Sequence, residues 1–234
     1  MKWSEWKGTY ESIVADFSFN MNDEVKAIDA AEETSRKMCS LKGKEAIDTL
    51  AELIKEEVVI AGNSRHLERE AKSLVSEGIL KGRTLIAADS AAPRLNEIGI
   101  RSDVIVSDMD GDVKAEMDLN EEGSLLLLHF HGDNYIGASE IAGKLKGKFM
   151  VTVQGKPTEC TFNFGGFTDG DRAVMLAEEF RSGRIYLIGF DFEHPLEKGK
   201  EAVIKKKKLR WAKEIIEGVQ KRGVMIKYAD GGKR

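Results

Sequence analysis

From residue 58 onward the chain alternates short apolar runs with stretches of helical periodicity. The runs fall at 58–61, 85–88, 104–106, 125–129, 149–153, 161–164, 185–188 and 224–228. They are apolar at successive positions instead of every second one, which implies strands covered on both faces. Helical stretches between most of them imply crossover connections. The predicted fold is α/β: a mainly parallel, Rossmann-like sheet with helices on both faces. Residues 1–56 contain no strand-like run. There Ala27, Ala30, Ala31 and Thr34 form one small-residue helix face, and Ala46, Leu50, Leu53 and Ile54 form another. Two units are expected, an N-terminal helical segment over 1–56 and an α/β domain over 57–234. They meet at a change of pattern with no flexible linker.

A polar group follows nearly every run: Asn63 and Ser64, Asp89, Asp108 and Asp110, His131 and Asp133, Thr168 and Asp169, Asp191. In a parallel sheet these positions converge on one rim, and ligands sit in the crevice beyond the carboxyl ends of the strands. Three acids gathered there repel one another, a pair ~4 Å apart costing ~4 kcal/mol at an effective dielectric of 20. A hard dication removes that cost. All-oxygen ligation suits Mg²⁺ carrying substrate phosphates. Asp89, Asp108 and Asp110 are thus the expected metal set, and Asp108 and Asp110 the expected catalytic pair. A single aspartate is more often a turn or helix cap. A D-x-D-G string after a buried run, with another acid ending the neighbouring strand, points to chemistry. Gly111 is expected to supply a positive φ, and Asp112 to cap a helix.

Composition narrows the classes. The 234 residues include 36 Lys and Arg against 40 Asp and Glu, a formal charge of -4. No broad positive field for nucleic acid follows from that balance. The longest aliphatic run, 125–128, is too short for a bilayer, and the start of the chain lacks the apolar core of a secretory signal. Cys39 and Cys160 have neither metal-ligand nor disulfide-framework spacing. A soluble, cytoplasmic protein without nucleic-acid or membrane partners is expected.

Other groups refine the rim. Asn63 and Ser64 open a helix, where unpaired N–H groups hold phosphate or the side chains simply cap. His131, Asp133 and Asn134 end the 125–129 run and offer donors and acceptors beside the acids; His129 shares a face with His131. Two histidines alone do not make a zinc site. Thr168 with Asp171 fits a capping box, which explains Asp171 and leaves Asp169 for function, with Gly165 and Gly166 permitting close approach of a ligand. Within Lys205–Lys208, the apolar stripe Leu209, Ala212, Ile215, Ile216 and Val219 extends back through Lys208 and Lys205. Those two lysines are placed to reach triphosphate oxygens.

The strings Ala87-Ala88-Asp89-Ser90, Ile98-Gly99-Ile100-Arg101-Ser102-Asp103 and Val106-Ser107-Asp108-Met109-Asp110-Gly111-Asp112 resemble thiamine pyrophosphokinase and, more closely, archaeal 6-hydroxymethyl-7,8-dihydropterin pyrophosphokinase. The second resemblance runs from Trp3, Trp6 and Tyr10 through His131-Gly132-Asp133-Asn134, the 164–172 string, Gly189-Phe190-Asp191 and 208–212. Ser90 stands where glycine is expected and Ser102 where proline is. The resemblance implies Mg²⁺-dependent transfer of diphosphate from ATP to a reduced pterin alcohol, in folate or methanopterin synthesis. Asn63, Ser64, Lys205 and Lys208 would then contact ATP. His131, Asp133, Asn134, Thr168 and Asp169 would contact the pterin, whose paired N–H donors suit a carboxylate such as Asp133 or Asp169. A homodimer is among the assemblies it allows. Two rival readings stand beside it. A haloacid-dehalogenase-like phosphatase would use Asp108 as nucleophile, although Asp112 follows where that motif carries Thr or Val. A non-catalytic nucleotide-binding module would bind ATP without turnover.

Overall fold

The computed structural model describes residues 2–229. Three helices come first, α1 (Trp3–Phe17), α2 (Met21–Met38) and α3 (Gly43–Leu53). Then β1 (Glu57–Ala61), α4 (Leu67–Ser76), β2 (Thr84–Ala88), α5 (Ala91–Glu97), β3 (Val104–Ser107), α6 (Val113–Glu121), β4 (Leu125–Phe130), α7 (Tyr135–Ala142) and β5 (Phe149–Val153) alternate. The chain ends with α8 (Asp169–Glu179), β6 (Arg184–Ile188), α9 (Gly199–Lys221) and β7 (Met225–Tyr228).

The strands form one seven-stranded sheet in the order β5-β4-β3-β2-β1-β6-β7, every pairing parallel. β2 to β5 are buried at every position, so their unbroken apolar runs follow from cover on both faces. Full burial of one such leucine or isoleucine contributes on the order of 2 kcal/mol. The edge strand β7 alternates exposed and buried positions. α4 packs on α5 and α5 on α6 along one run of crossovers, while α8 packs on α9 and lies across β1, β2 and β3. The order reverses between β1 and β6, the switch point where α/β sheets open a crevice.

One expected strand is absent. Residues 161–164 make a single bridge, Phe162 to Thr152. The Asn163 amide donates to the carbonyls of Gln154 and Gly155 at 2.9 and 2.7 Å, closing a loop. Phe162 and Phe164 stack 5.8 Å apart, and Phe164 packs edge-on to Phe180. The apolar run serves packing and extends no ladder.

The amino-terminal helices share the core with the sheet: Trp6, Tyr10, Ile13, Ala31, Ala46 and Leu50 belong to the same buried cluster as the strands. The last turn of α1 meets α9, where Asp16 accepts from the Trp211 indole at 2.8 Å and pairs with Lys207 at 2.9 Å. Among the described residues, no helix is long and apolar enough to cross a membrane.

Candidate active site

Asp89 directly follows β2, and its N–H donates to Val106 O at 2.9 Å, prolonging the β2–β3 register by one residue. Its φ is +47°, a left-handed conformation that aspartate tolerates better than most residues. The Ser90 hydroxyl donates to Asp89 Oδ2 at 2.9 Å. Asp108 and Asp110 follow β3. The left-handed residue of that turn is Met109, φ +59°, with its N–H bonded to Ser107 Oγ at 2.9 Å. A buried, unbranched side chain held in this region costs on the order of 1 kcal/mol and marks a turn that its surroundings enforce. Gly111, expected to carry the positive φ, does not. A Cβ there would lie 2.3 Å from Ser90 Oγ and 2.8 Å from Asp89 Oδ1, so glycine is needed because the two acid-bearing turns touch. Asp112 caps α6 as expected, accepting from Ala115 N.

One oxygen each of Asp89, Asp108 and Asp110 lies within 4.8 Å of the others. Asp89 Oδ1 and Asp108 Oδ1 are buried without a hydrogen-bond partner. Orphaned anionic oxygens facing one another are the donor set a hard dication needs. The residues fit a metal of the Mg²⁺ type. Burial opposes ionisation of Asp108, but the hydrogen bond and charge of His131, with Arg172 behind, outweigh it and lower its pKa. Asp110 is pushed up to about 6 by burial and then by the charges of Asp108 and Asp89, against the pull of Lys205.

His131 Nε2 lies 3.2 Å from Asp108 Oδ2, and its Nδ1 accepts from Asp133 N at 3.3 Å. Nδ1 is therefore the acceptor and Nε2 carries the proton toward Asp108. Asn134 is bonded to its own turn: Oδ1 accepts from His131 N, and Nδ2 donates to the carbonyls of Asp108 and His129. Asp133 is exposed. His129 is the core member of the pair, buried and 3.0 Å from Thr152 Oγ1.

Beside the acids a cleft of about 130 Å³ opens at the β1–β6 switch point, lined by Gly62–Ser64, Asp89, Thr168–Gly170, Gly189–Phe192, Lys205 and Leu209. Gly62 and Gly189 bring its two loops into contact, since a Cβ on Gly189 would lie 2.1 Å from Gly62 O. Asn63 and Ser64 line the cleft but open no helix. α4 begins at Leu67, Ser64 Oγ accepts from His66 N, and Asn63 accepts from Arg94. Thr168 and Asp171 form the capping box of α8, which frees Asp169, the first helical residue, to face the cleft. Burial and the Asp108 charge hold Asp169 well above the usual carboxylate range, opposed by Arg172 at 3.2 Å. At Gly166 the close approach is not to a ligand. A Cβ on Gly166 would lie 2.5 Å from Arg172 Cα, so the close neighbour is α8 itself. Of the four lysines, Lys205 lines the cleft, Lys206 pairs with Glu193, Lys207 with Asp16, and Lys208 lies 6.0 Å over the Phe167 ring.

Three charged residues at this rim were not anticipated. Glu116 of α6 is fully buried beside Asp89 and Ser107; neither oxygen makes a well-formed hydrogen bond, and burial followed by the Asp89 charge pushes it up to about 9. Arg172 is buried, donating to Gln154 Oε1 at 2.9 Å as well as to Asp169. Glu24 of α2 is buried and accepts from Gly132 N at 3.0 Å. Each lies on an inward helical stripe: Glu24 precedes Ala27, Ala31 and Thr34; Glu116 follows Val113; Arg172 precedes Leu176. A charge at such a position was the available signal.

Residues 29–196 match the family model described as 6-hydroxymethylpterin diphosphokinase MptE-like. A Pyrococcus furiosus protein named 6-hydroxymethyl-7,8-dihydropterin pyrophosphokinase is 32% identical over 233 residues, covering 95% of this chain and 96% of the relative. The chain belongs to this family. A Methanocaldococcus jannaschii protein of the same name is 32% identical over 232 residues, 92% of this chain and 95% of its own. One from Methanothermobacter thermautotrophicus is 35% identical over 150 residues, 60% and 64%. As a member of the MptE-like family the chain is an enzyme, a diphosphotransferase of the pterin diphosphokinase kind.

Proposed function

We propose that the enzyme transfers diphosphate from ATP to 6-hydroxymethyl-7,8-dihydropterin with Mg²⁺ at Asp89, Asp108 and Asp110, in tetrahydrofolate or tetrahydromethanopterin synthesis. The observation that carries this reading is the trio of facing carboxylates, two with orphaned oxygens, beside a cleft at the switch point. In the reaction the pterin hydroxymethyl oxygen bonds to the β-phosphorus, the bridge between α- and β-phosphates breaks, and AMP leaves. Little covalent chemistry falls to the protein, so positioning and charge neutralisation dominate. Mg²⁺ bound at the trio supplies neutralisation of the phosphate oxygens. His131 holds the Asp108 carboxylate in place. Lys205, on the cleft wall, reaches the triphosphate, with Asn63 and Ser64 on the opposite lip. Asp169, which lines the cleft, would accept the paired N–H donors of the pterin as a carboxylate once bound Mg²⁺ offsets the Asp108 and Asp89 charges that add to burial in favouring its protonated form, whereas Asp133 faces solvent.

Product analysis tests the proposal. The enzyme is incubated with ATP and either dihydropterin alcohol or thiamine, with and without Mg²⁺. AMP and the pterin diphosphate, formed only with Mg²⁺, are expected. ADP with a monophosphate ester, release of free phosphate through Asp108, or ATP binding without turnover would each refute it. Preferential diphosphorylation of thiamine would move the substrate assignment to the related kinase.

A further inference from the structure

The amino-terminal helical segment touches the acid rim through one buried carboxylate. Glu24, in the first turn of α2, is 4% exposed and accepts from Gly132 N at 3.0 Å. A Cβ on Gly132 would lie 3.0 Å from Glu24 Oε1 and 3.3 Å from Asp23 Cβ, so a side chain there would press on the first turn of α2. Gly132 sits in the turn that carries His131. The N–H groups of this turn are all engaged: His131 N by Asn134 Oδ1, Asp133 N by His131 Nδ1, and Gly132 N by Glu24. The first two bonds are local. Glu24 alone arrives from a distant part of the chain. An apolar residue would fill this stripe position without the desolvation that a carboxyl group incurs. A buried acceptor is worth having here only if the Gly132 amide needs holding.

We propose that Glu24 is a positioning residue for the active site: by holding the Gly132 amide it fixes the His131 turn, and His131 in turn fixes the Asp108 carboxylate. Segment 1–56 thereby contributes to catalysis as well as to packing. This inference rests on the reading of Asp89, Asp108 and Asp110 as a cation site. Partners of that kind, one step removed from a metal ligand, orient it and commonly change metal affinity ~10- to 100-fold.

The test uses the full chain and Mn²⁺ as probe, with binding followed by electron paramagnetic resonance. Amide hydrogen exchange over 131–134 and the unfolding midpoint are measured alongside. Glu24→Gln keeps an acceptor oxygen; Glu24→Met keeps the length without one. The Gln variant is expected to bind Mn²⁺ within about two-fold of wild type, and the Met variant about ten-fold more weakly. Exchange over 131–134 should quicken in the Met variant only. Wild-type binding and exchange in the Met variant would overturn the inference. So would a Gln variant as impaired as Met, because charge and not the hydrogen bond would then matter. If the Met variant does not fold, Glu24→Asp decides. It keeps the charge but withdraws the oxygen by one methylene, so weakened binding is expected and wild-type binding overturns the proposal. Absence of Mn²⁺ binding by the wild type would instead remove the cation-site reading, and this inference with it.

Discussion

At the amino-terminal rim of the sheet, Asn120 donates to the carbonyls of Ser124 and Lys148 and accepts from Gly147 N. Nearby, Asp103 accepts from Leu85 N, and Ser124 Oγ donates to Ser102 O. At the carboxyl-terminal rim Glu116 is as hidden from solvent as Asn120, and Asp89 and Asp108 are half-buried, yet each keeps at least one buried carboxyl oxygen without a partner. Both rims bury polar side chains between the same strands. One set completes the backbone's hydrogen bonds, as buried polar groups ordinarily do. The other is left unsatisfied and mutually repulsive, which the fold tolerates and does not need. On the proposed reading, stability resides at the first rim and chemistry at the second.

Substitutions on either rim sharpen that contrast. Asp108→Asn is expected to lower diphosphate transfer at least ~10²-fold. Its unfolding midpoint without metal should change little, because relief of the repulsion with Asp110 offsets the weakened interaction with His131. Steady-state kinetics and calorimetry check both, and marked destabilisation would make Asp108 structural. Asn120→Ala should do the opposite. It removes three hydrogen bonds made by a fully buried side chain, costing about 3 kcal/mol, while kcat of the folded fraction stays at the wild-type level; denaturant titration and kinetics read this.

The pH dependence of stability gives a smaller effect. Glu116 is held at about 9 in the fold against an ordinary glutamate value of 4.5. Between those values the unfolded chain has lost a proton that the folded chain retains, so metal-free stability falls as pH rises. The midpoint of metal-free wild type should therefore drop more steeply from pH 5 to 8 than that of Glu116→Gln. Equal slopes would mean Glu116 does not hold its proton. Smallest of all, Lys205→Ala should weaken ATP binding about ten-fold, and Lys206→Ala, paired with Glu193 at 3.3 Å, should leave it unaltered. Indistinguishable affinities in titration calorimetry would remove Lys205 from the nucleotide site.

Much of this was legible beforehand, for physical reasons. Strands covered on both faces declare themselves as unbroken apolar runs, and in a parallel sheet the residues just past each strand gather at one rim. That logic located Asp89, Asp108 and Asp110 before any coordinate. It failed at 161–164, where four residues of strand-like composition pack as a loop because Asn163 bonds back on its own chain. It also misread Gly111 and Gly166, whose role depends on which segment passes close by. Glu24, Glu116 and Arg172 escaped notice because a charge on an inward stripe acquires meaning only from the elements packed against it.

The central claim is that Asp89, Asp108 and Asp110 share one hard dication. Crystals grown with Mn²⁺ and measured at a wavelength where manganese scatters anomalously test it directly. The account predicts an anomalous peak within coordination distance of oxygens from all three aspartates, lost in Asp108→Asn. A peak bound elsewhere, or none at saturating Mn²⁺, would contradict it.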